Sequence, residues 1–179
     1  MTVADDPRRW ILEREVLFAP LSAAERDALA PKLVRRPFAT GEAVVTQGDA
    51  GDSLFLIGEG HLAAMFAPPG KPAREAGRLG PGDCFGEMSL LTGAPRSATV
   101  LALSAGIAWE LAKPDVAPIL VARPAIAAEL GALLAHRQSI LDAIAREHPE
   151  LTAGEKKNLG ATIGRWILAG FSIAPGSVI

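Results

Sequence analysis

The sequence predicts an α+β fold: an antiparallel β-roll, jelly-roll-like, carrying one short inserted helix and flanked by helices at both ends. Three observations carry that expectation. Between Val34 and Ala112, short runs rich in Val, Leu, Ile and Phe alternate with glycine-centred turns, the pattern of a small antiparallel barrel or roll. Inside that region GEMSLL, at Gly86–Leu91, has good helix formers and no alternation. Before Val34 and after Ala112 the apolar residues recur at helical spacing. The expected organisation is therefore N-terminal helices over 1–33, the roll over 34–112, two helices over 113–148 and a helical tail over 149–179.

Arg8 to Phe18 reads as a first helix that ends ahead of Pro20. Ser22 and Glu25 have capping-box spacing and open a second helix, with Leu29 and Leu33 four apart on one face. The strand runs follow as VRRPFA, AVVTQ, SLFLI and HLAAMFA, separated by Gly41-Glu42, Gly48 to Gly51 and Gly58-Glu59-Gly60. After the loop PPGKPA come REAGRL, the turn GPGD, the GEMSLL helix, and the strands SATVLALS and GIAWELA. KPDVAPILVA is a short helix. Pro124 then stands at the first position of a longer one, whose stripe is Leu130, Leu133, Leu134, Ile140, Leu141 and Ile144. Thr152 and Glu155 box the start of a last amphipathic helix running to Phe171.

Composition removes several classes of function. At 179 residues the chain has the length of about one domain and can build a core without cross-links. Eighteen basic against 20 acidic side chains leave a formal charge of −2, so no nucleic-acid partner is expected. A small anion needs only local positive charge and remains open. The single cysteine, Cys84, has no disulfide partner within the chain, and with His61, His136 and His148 it lacks metal-ligand spacing. The N-terminus lacks the order of a secretory signal, and the most apolar stretch stops at Lys113-Pro114, short of the roughly 18 residues a membrane span needs. A cytoplasmic location is expected.

Three motifs imitate chemistry. GDSL at Gly51–Leu54 copies the nucleophile block of a class of serine esterases, but no Asp is followed three residues later by His, so Ser53 is not expected to be catalytic. Gly58-x-Gly60-x-x-Ala63 runs into another strand where a dinucleotide fingerprint requires a helix. Gly70-Lys71 lacks the upstream glycine of a P-loop. All three read as turns.

The stretch Phe85 to Val100, FGEMSLLTGAPRSATV, is different. A helix opening at Gly86 presents unpaired amides and partial positive charge, and Gly86 has no side chain to keep an anion away. Arg96 adds a planar fork matched to phosphate oxygens, and Ser97 and Ala98 add a hydroxyl and an amide. Glu87 beside a phosphate makes sense if it accepts from a neutral ligand hydroxyl, which asks for a sugar phosphate. Taken singly, each charge has a plainer reading: Glu87 as a partner of the helix dipole and Arg96 as a solvated surface charge.

Phe85-Gly86-Glu87, Ser89-Leu90-Leu91 and Pro95-Arg96-Ser97-Ala98-Thr99 together resemble the phosphate-binding cassette of the cyclic nucleotide-binding domain family. The resemblance extends to Gly41-Glu42, Gln47-Gly48-Asp49, Ser53-Leu54-Phe55, Gly60 and Leu79-x-Pro81-Gly82-Asp83, and covers roughly Leu17 to His148. It implies a ligand, cyclic AMP or, less favoured, cyclic GMP, that is bound and not turned over, with no further cofactor and no metal. Phosphate and ribose would be held by Phe85, Gly86, Glu87, Met88, Ser89, Arg96, Ser97 and Ala98. It further implies apolar or base contacts from Leu62, Ala64 and Leu79, and a lid contact from Leu133, Leu134 or Arg137. LFAPLSAAERDALAPKLVRR, RPAIAAELGALLAHRQ and IGRWILAGF are similar to the flanks of this domain in bacterial membrane channels, including the mechanosensitive type. The partner implied is a channel domain encoded upstream, which would place the chain at the cytosolic face of the membrane, or another copy through the terminal helices. A soluble transcriptional or signalling regulator is the alternative.

Overall fold

The computed structural model describes residues 6–67 and 72–124. The expected lid, with Leu133, Leu134 and Arg137, and the tail over 149–179 lie outside the described residues.

The chain begins with α1 (Pro7–Arg14), started by the Asp6 side chain accepting from the Arg8 amide at 3.0 Å and by proline in the first turn. The sequence reads as one helix to Phe18, but α1 stops at Glu15, whose backbone is extended. The buried Glu15 carboxylate instead accepts from the Leu17 amide at 3.3 Å, and a separate 3-10 turn covers Val16–Phe18. Next comes α2 (Ala23–Leu29), with the Ser22–Glu25 capping box formed in both directions. Pro31 cannot continue its hydrogen bonding, and the chain tightens into a 3-10 turn over Ala30–Lys32.

Among the described residues eight strands follow: β1 (Val34–Phe38), β2 (Ala43–Val45), β3 (Ser53–Glu59), β4 (Leu62–Phe66), β5 (Arg74–Leu79), β6 (Cys84–Phe85), β7 (Thr99–Ala102) and β8 (Gly106–Ala112). Helix α3 (Glu87–Thr92) interrupts them after β6, and α4 (Lys113–Ala122) closes the described chain. All pairings are antiparallel, in two four-stranded sheets ordered β1-β8-β3-β6 and β2-β7-β4-β5. This is the α+β roll with its inserted helix. The two-residue β6 is too short to show any alternation in sequence, and the pattern gave no sign of it.

Strand β3 is enclosed on both faces, because alternate residues serve two cores. Leu54 and Leu56 point to one core with Ile11, Leu12, Leu29, Leu90, Leu111 and Val116, which joins the helices to the back of the first sheet. Phe55 and Ile57 point to the other, with Phe38, Leu62, Phe85, Val100 and Ala108, between the two sheets. Helix α3 therefore stands where the roll meets its helical cover, with Leu90 in the first of these cores.

Candidate functional site

Two backbone features position the cassette. Gly86 has φ +85°, a left-handed conformation costly for any residue with a side chain, and from there the chain turns out of β6 into α3 with no side chain of its own to cap the helix. Arg96 is fixed by its own backbone: its amide donates to Asp49 at 2.8 Å and its carbonyl accepts from Gly48 at 2.9 Å. The residue is only 7% exposed, so the solvated reading of Arg96 does not hold.

The guanidinium points inward. Its Nη1 donates to the Ser53 carbonyl at 2.6 Å and the Gly86 carbonyl at 3.2 Å, and its Nη2 donates to Ser53 Oγ at 3.1 Å. The Phe55 ring lies 5.7 Å from the guanidinium carbon and stacks in turn on Phe85, with ring centroids 4.9 Å apart. Burial pushes the Arg96 pKa below its ordinary value, while Asp52, Glu110 and Glu87 attract the charge from a distance and oppose that shift. All its hydrogen bonds go to neutral groups, and it makes no ion pair among the described residues. An enclosed cation with neutral partners is costly until an anion arrives.

One expectation changes. The missing side chain at Gly86 makes room first for the arginine: a Cβ there would fall 2.4 Å from Arg96 Nη1 and 2.9 Å from the Ser53 carbonyl. Other cassette residues surround this centre. Phe85, Glu87 and Ser89 are buried, with Glu87 at 9% exposure; Met88 and Ala98 are half-buried and Ser97 is exposed. Leu62, Ala64 and Leu79 share one side of the second sheet, where Leu62 pairs with Leu79 across β4 and β5. Leu62 is fully enclosed, so Ala64 and Leu79 are the two that keep surface to offer.

Ser53 was missed as a site residue. It is 4% exposed, and its hydroxyl is held by an arginine 43 positions away. The available signal was Ser53-Leu54-Phe55 standing within the resemblance. Cys84, the single cysteine, is half-buried against the helical core, and no cluster of His, Cys, Asp and Glu among the described residues is placed to hold a metal. His61 is an exposed turn residue whose amide donates to Ser104 Oγ at 3.0 Å.

Comparison with known proteins decides what this arrangement is. Residues 35–123 match the profile described as "Cyclic nucleotide-binding domain". The chain belongs to the cyclic nucleotide-binding domain family. It is similar to a cyclic AMP receptor protein of Thermus thermophilus, 35% identical over 121 residues that make up 68% of this chain and 56% of that protein. It is also similar to a cAMP-dependent protein kinase regulatory subunit of Mycosarcoma maydis, 44% identical over 89 residues, 50% of this chain and 17% of that one. Among solved structures, the N-terminal domain of a transcriptional regulator from Streptomyces coelicolor A3(2) superposes with a TM-score of 0.60 at 30% identity, covering 75% of this chain and 94% of that domain. The chain thus spans between 17% and 56% of the length of these two curated relatives. As a member of this family it contains the roll, the inserted helix and the cassette arginine in one frame, and the family is one of binding domains. No helix among the described residues is long and apolar enough to cross a membrane.

Proposed function

We propose that this domain binds a cyclic nucleoside monophosphate, cyclic AMP in preference to cyclic GMP, and passes occupancy on through the helices that follow the roll, without chemistry on the nucleotide. The observation that carries the reading is the enclosed guanidinium of Arg96, without an ion pair among the described residues, adjoining the start of α3 at Gly86. In this reading Arg96 and the amides from Gly86 to Ser89 and at Ala98 hold the cyclic phosphate, with Phe85 and Met88 shaping the wall. Glu87 accepts from the ribose 2′-hydroxyl, and Ser97 lies at the rim. Ala64 and Leu79 face the apolar part of the ligand, with Leu62 beneath them.

Transmission has a physical route. The residues Leu90 and Leu91 of α3 line one apolar crevice with Leu54 of β3, Leu17, Phe18 and Leu21 of the N-terminal segment, and Val116, Ile119 and Leu120 of α4. Whatever moves α3 at its phosphate end disturbs the packing of α4 at its other side. A ligand shifts such an arrangement only by its difference in affinity between the two states. Hydrogen exchange over residues 113–148, with and without cyclic AMP, is expected to change at saturation. Unchanged protection would remove this part of the reading.

Calorimetric titration of the full chain with each nucleotide tests binding and preference together. Arg96→Ala is expected to lower affinity by about ten-fold to a hundred-fold, the effect of losing charge-assisted hydrogen bonds. Absence of binding by the unaltered chain would end the proposal. For the effector, the similarity of the flanks to channel-borne domains supports a channel, whereas the relatives named above are a receptor protein, a kinase regulatory subunit and a transcriptional regulator. Membrane-spanning segments encoded upstream in the same reading frame would favour the channel, and salt-dependent DNA binding would favour the soluble regulator.

A further inference from the structure

A guanidinium has five N–H donors in one plane, and their geometry decides which edge an anion meets. In Arg96, three are committed. Both N–H groups of Nη1 go to the Ser53 and Gly86 carbonyls, and one of Nη2 goes to Ser53 Oγ. The two without a hydrogen bond among the described residues are Nε–H and the second N–H of Nη2, which are parallel neighbours along one edge. That edge is the fork that matches two oxygens, or two lone pairs of one oxygen, of a phosphodiester. The Ser53 residue alone fills the end of the group, by carbonyl and hydroxyl together. Gly51 packs against the same group: a Cβ there would fall 2.3 Å from Nε and 2.4 Å from Cζ, so the backbone already lies against the guanidinium.

From this we infer that Ser53, backed by Gly51, is a positioning residue that occupies the end of the Arg96 guanidinium and thereby turns its Nε–Nη2 edge to one exocyclic oxygen of the cyclic phosphate. The inference rests on the binding reading above. The Ser53 residue does not touch the nucleotide in this scheme and acts through Arg96. Its enclosed hydroxyl, set in a sequence block that imitates an esterase nucleophile, is a hydrogen-bond acceptor for the cation.

The test uses the full chain and calorimetry with cyclic AMP and its Rp and Sp phosphorothioates, each of which replaces one exocyclic oxygen by sulfur. The unaltered chain is expected to prefer one diastereomer. Ser53→Ala should lower cyclic AMP affinity by about five-fold to twenty-fold and shrink that preference, because one of the hydrogen bonds that anchor the end of the guanidinium is lost. Ser53→Thr, which keeps the hydroxyl, should restore both. Gly51→Ala should lower affinity in the same direction by displacing the whole group. In an Arg96→Ala background, Ser53→Ala should add no further loss, as expected of residues acting as one unit. Binding within about two-fold of normal and an unchanged diastereomer ratio in folded Ser53→Ala would overturn the inference. So would an equal loss in the Arg96→Ala background. Either result leaves cyclic nucleotide binding intact, whereas failure of the unaltered chain to bind cyclic AMP removes the underlying reading.

Discussion

The two sheets of the roll are built to different standards of enclosure. In β3, at the heart of the first sheet, five successive residues from Ser53 to Ile57 are buried, because helices cover one face and the second sheet covers the other. In β5, at the edge of the second sheet, Arg74, Ala76 and Arg78 are exposed and alternate with half-buried Glu75, Gly77 and Leu79. A sheet with one wet face can shape a pocket but has nothing behind it to inform. The first sheet has the helices behind it, and Arg96 grips its leading residue, Ser53.

The comparison is sharpest in stability. Leu56→Ala, in a side chain with no exposed surface, is expected to cost about 2–5 kcal/mol in denaturant unfolding, the usual loss for a large apolar side chain removed from a core. A much smaller cost would mean that the helical cover does not depend on β3. The acid response of the cover comes next. Hydrogen bonds from the Ser22 amide, then the Ser22 hydroxyl, hold the Glu25 carboxyl below its ordinary value of 4.5, with a further contribution from Arg123. A carboxyl whose pKa is depressed on folding stabilises the fold above its unfolded value and loses that contribution as pH falls through the folded one. Thermal melts should therefore show stability declining below about pH 4.5, and Glu25→Gln should flatten that decline. An identical acid profile in the variant would assign the decline to other groups, such as Asp6, whose pKa is lowered by Arg8. The smallest effect is expected on the wet face: Arg78→Ala, which removes an exposed ion pair with Glu75, should leave the denaturant midpoint essentially unchanged. A larger cost would show that the outer side of β5 is not a simple solvent face.

What the sequence disclosed followed from local physics. Gly41, Gly48, Gly60, Gly82 and Gly86 mark turns because their left-handed backbone is written into residue type, and the Ser22–Glu25 box marks a helix start because its bonds span three residues. The inserted helix and the cassette arginine were legible for the same reason. What stayed hidden depends on distance or on brevity. The break after α1 is made by one buried carboxylate turning back on the Leu17 amide in a segment whose composition is helical throughout. Strand β6 exists because Cys84 and Phe85 find Leu56 and Phe55 across the chain. The Ser53 role depends on Arg96, and from the sequence alone Gly86 reads as a vacancy for a ligand when it is first a vacancy for that arginine.

The ion pair at the end of the described chain ties two events to one carboxylate. Arg123, just past α4, donates to Glu25 at 2.6 Å, and the same Glu25 oxygen accepts from the Ser22 amide that opens α2. Any tug delivered through the chain beyond Arg123 therefore lands first on the opening turn of a helix near the other end of the sequence, so that the exit of the domain and its entrance share a single fastening.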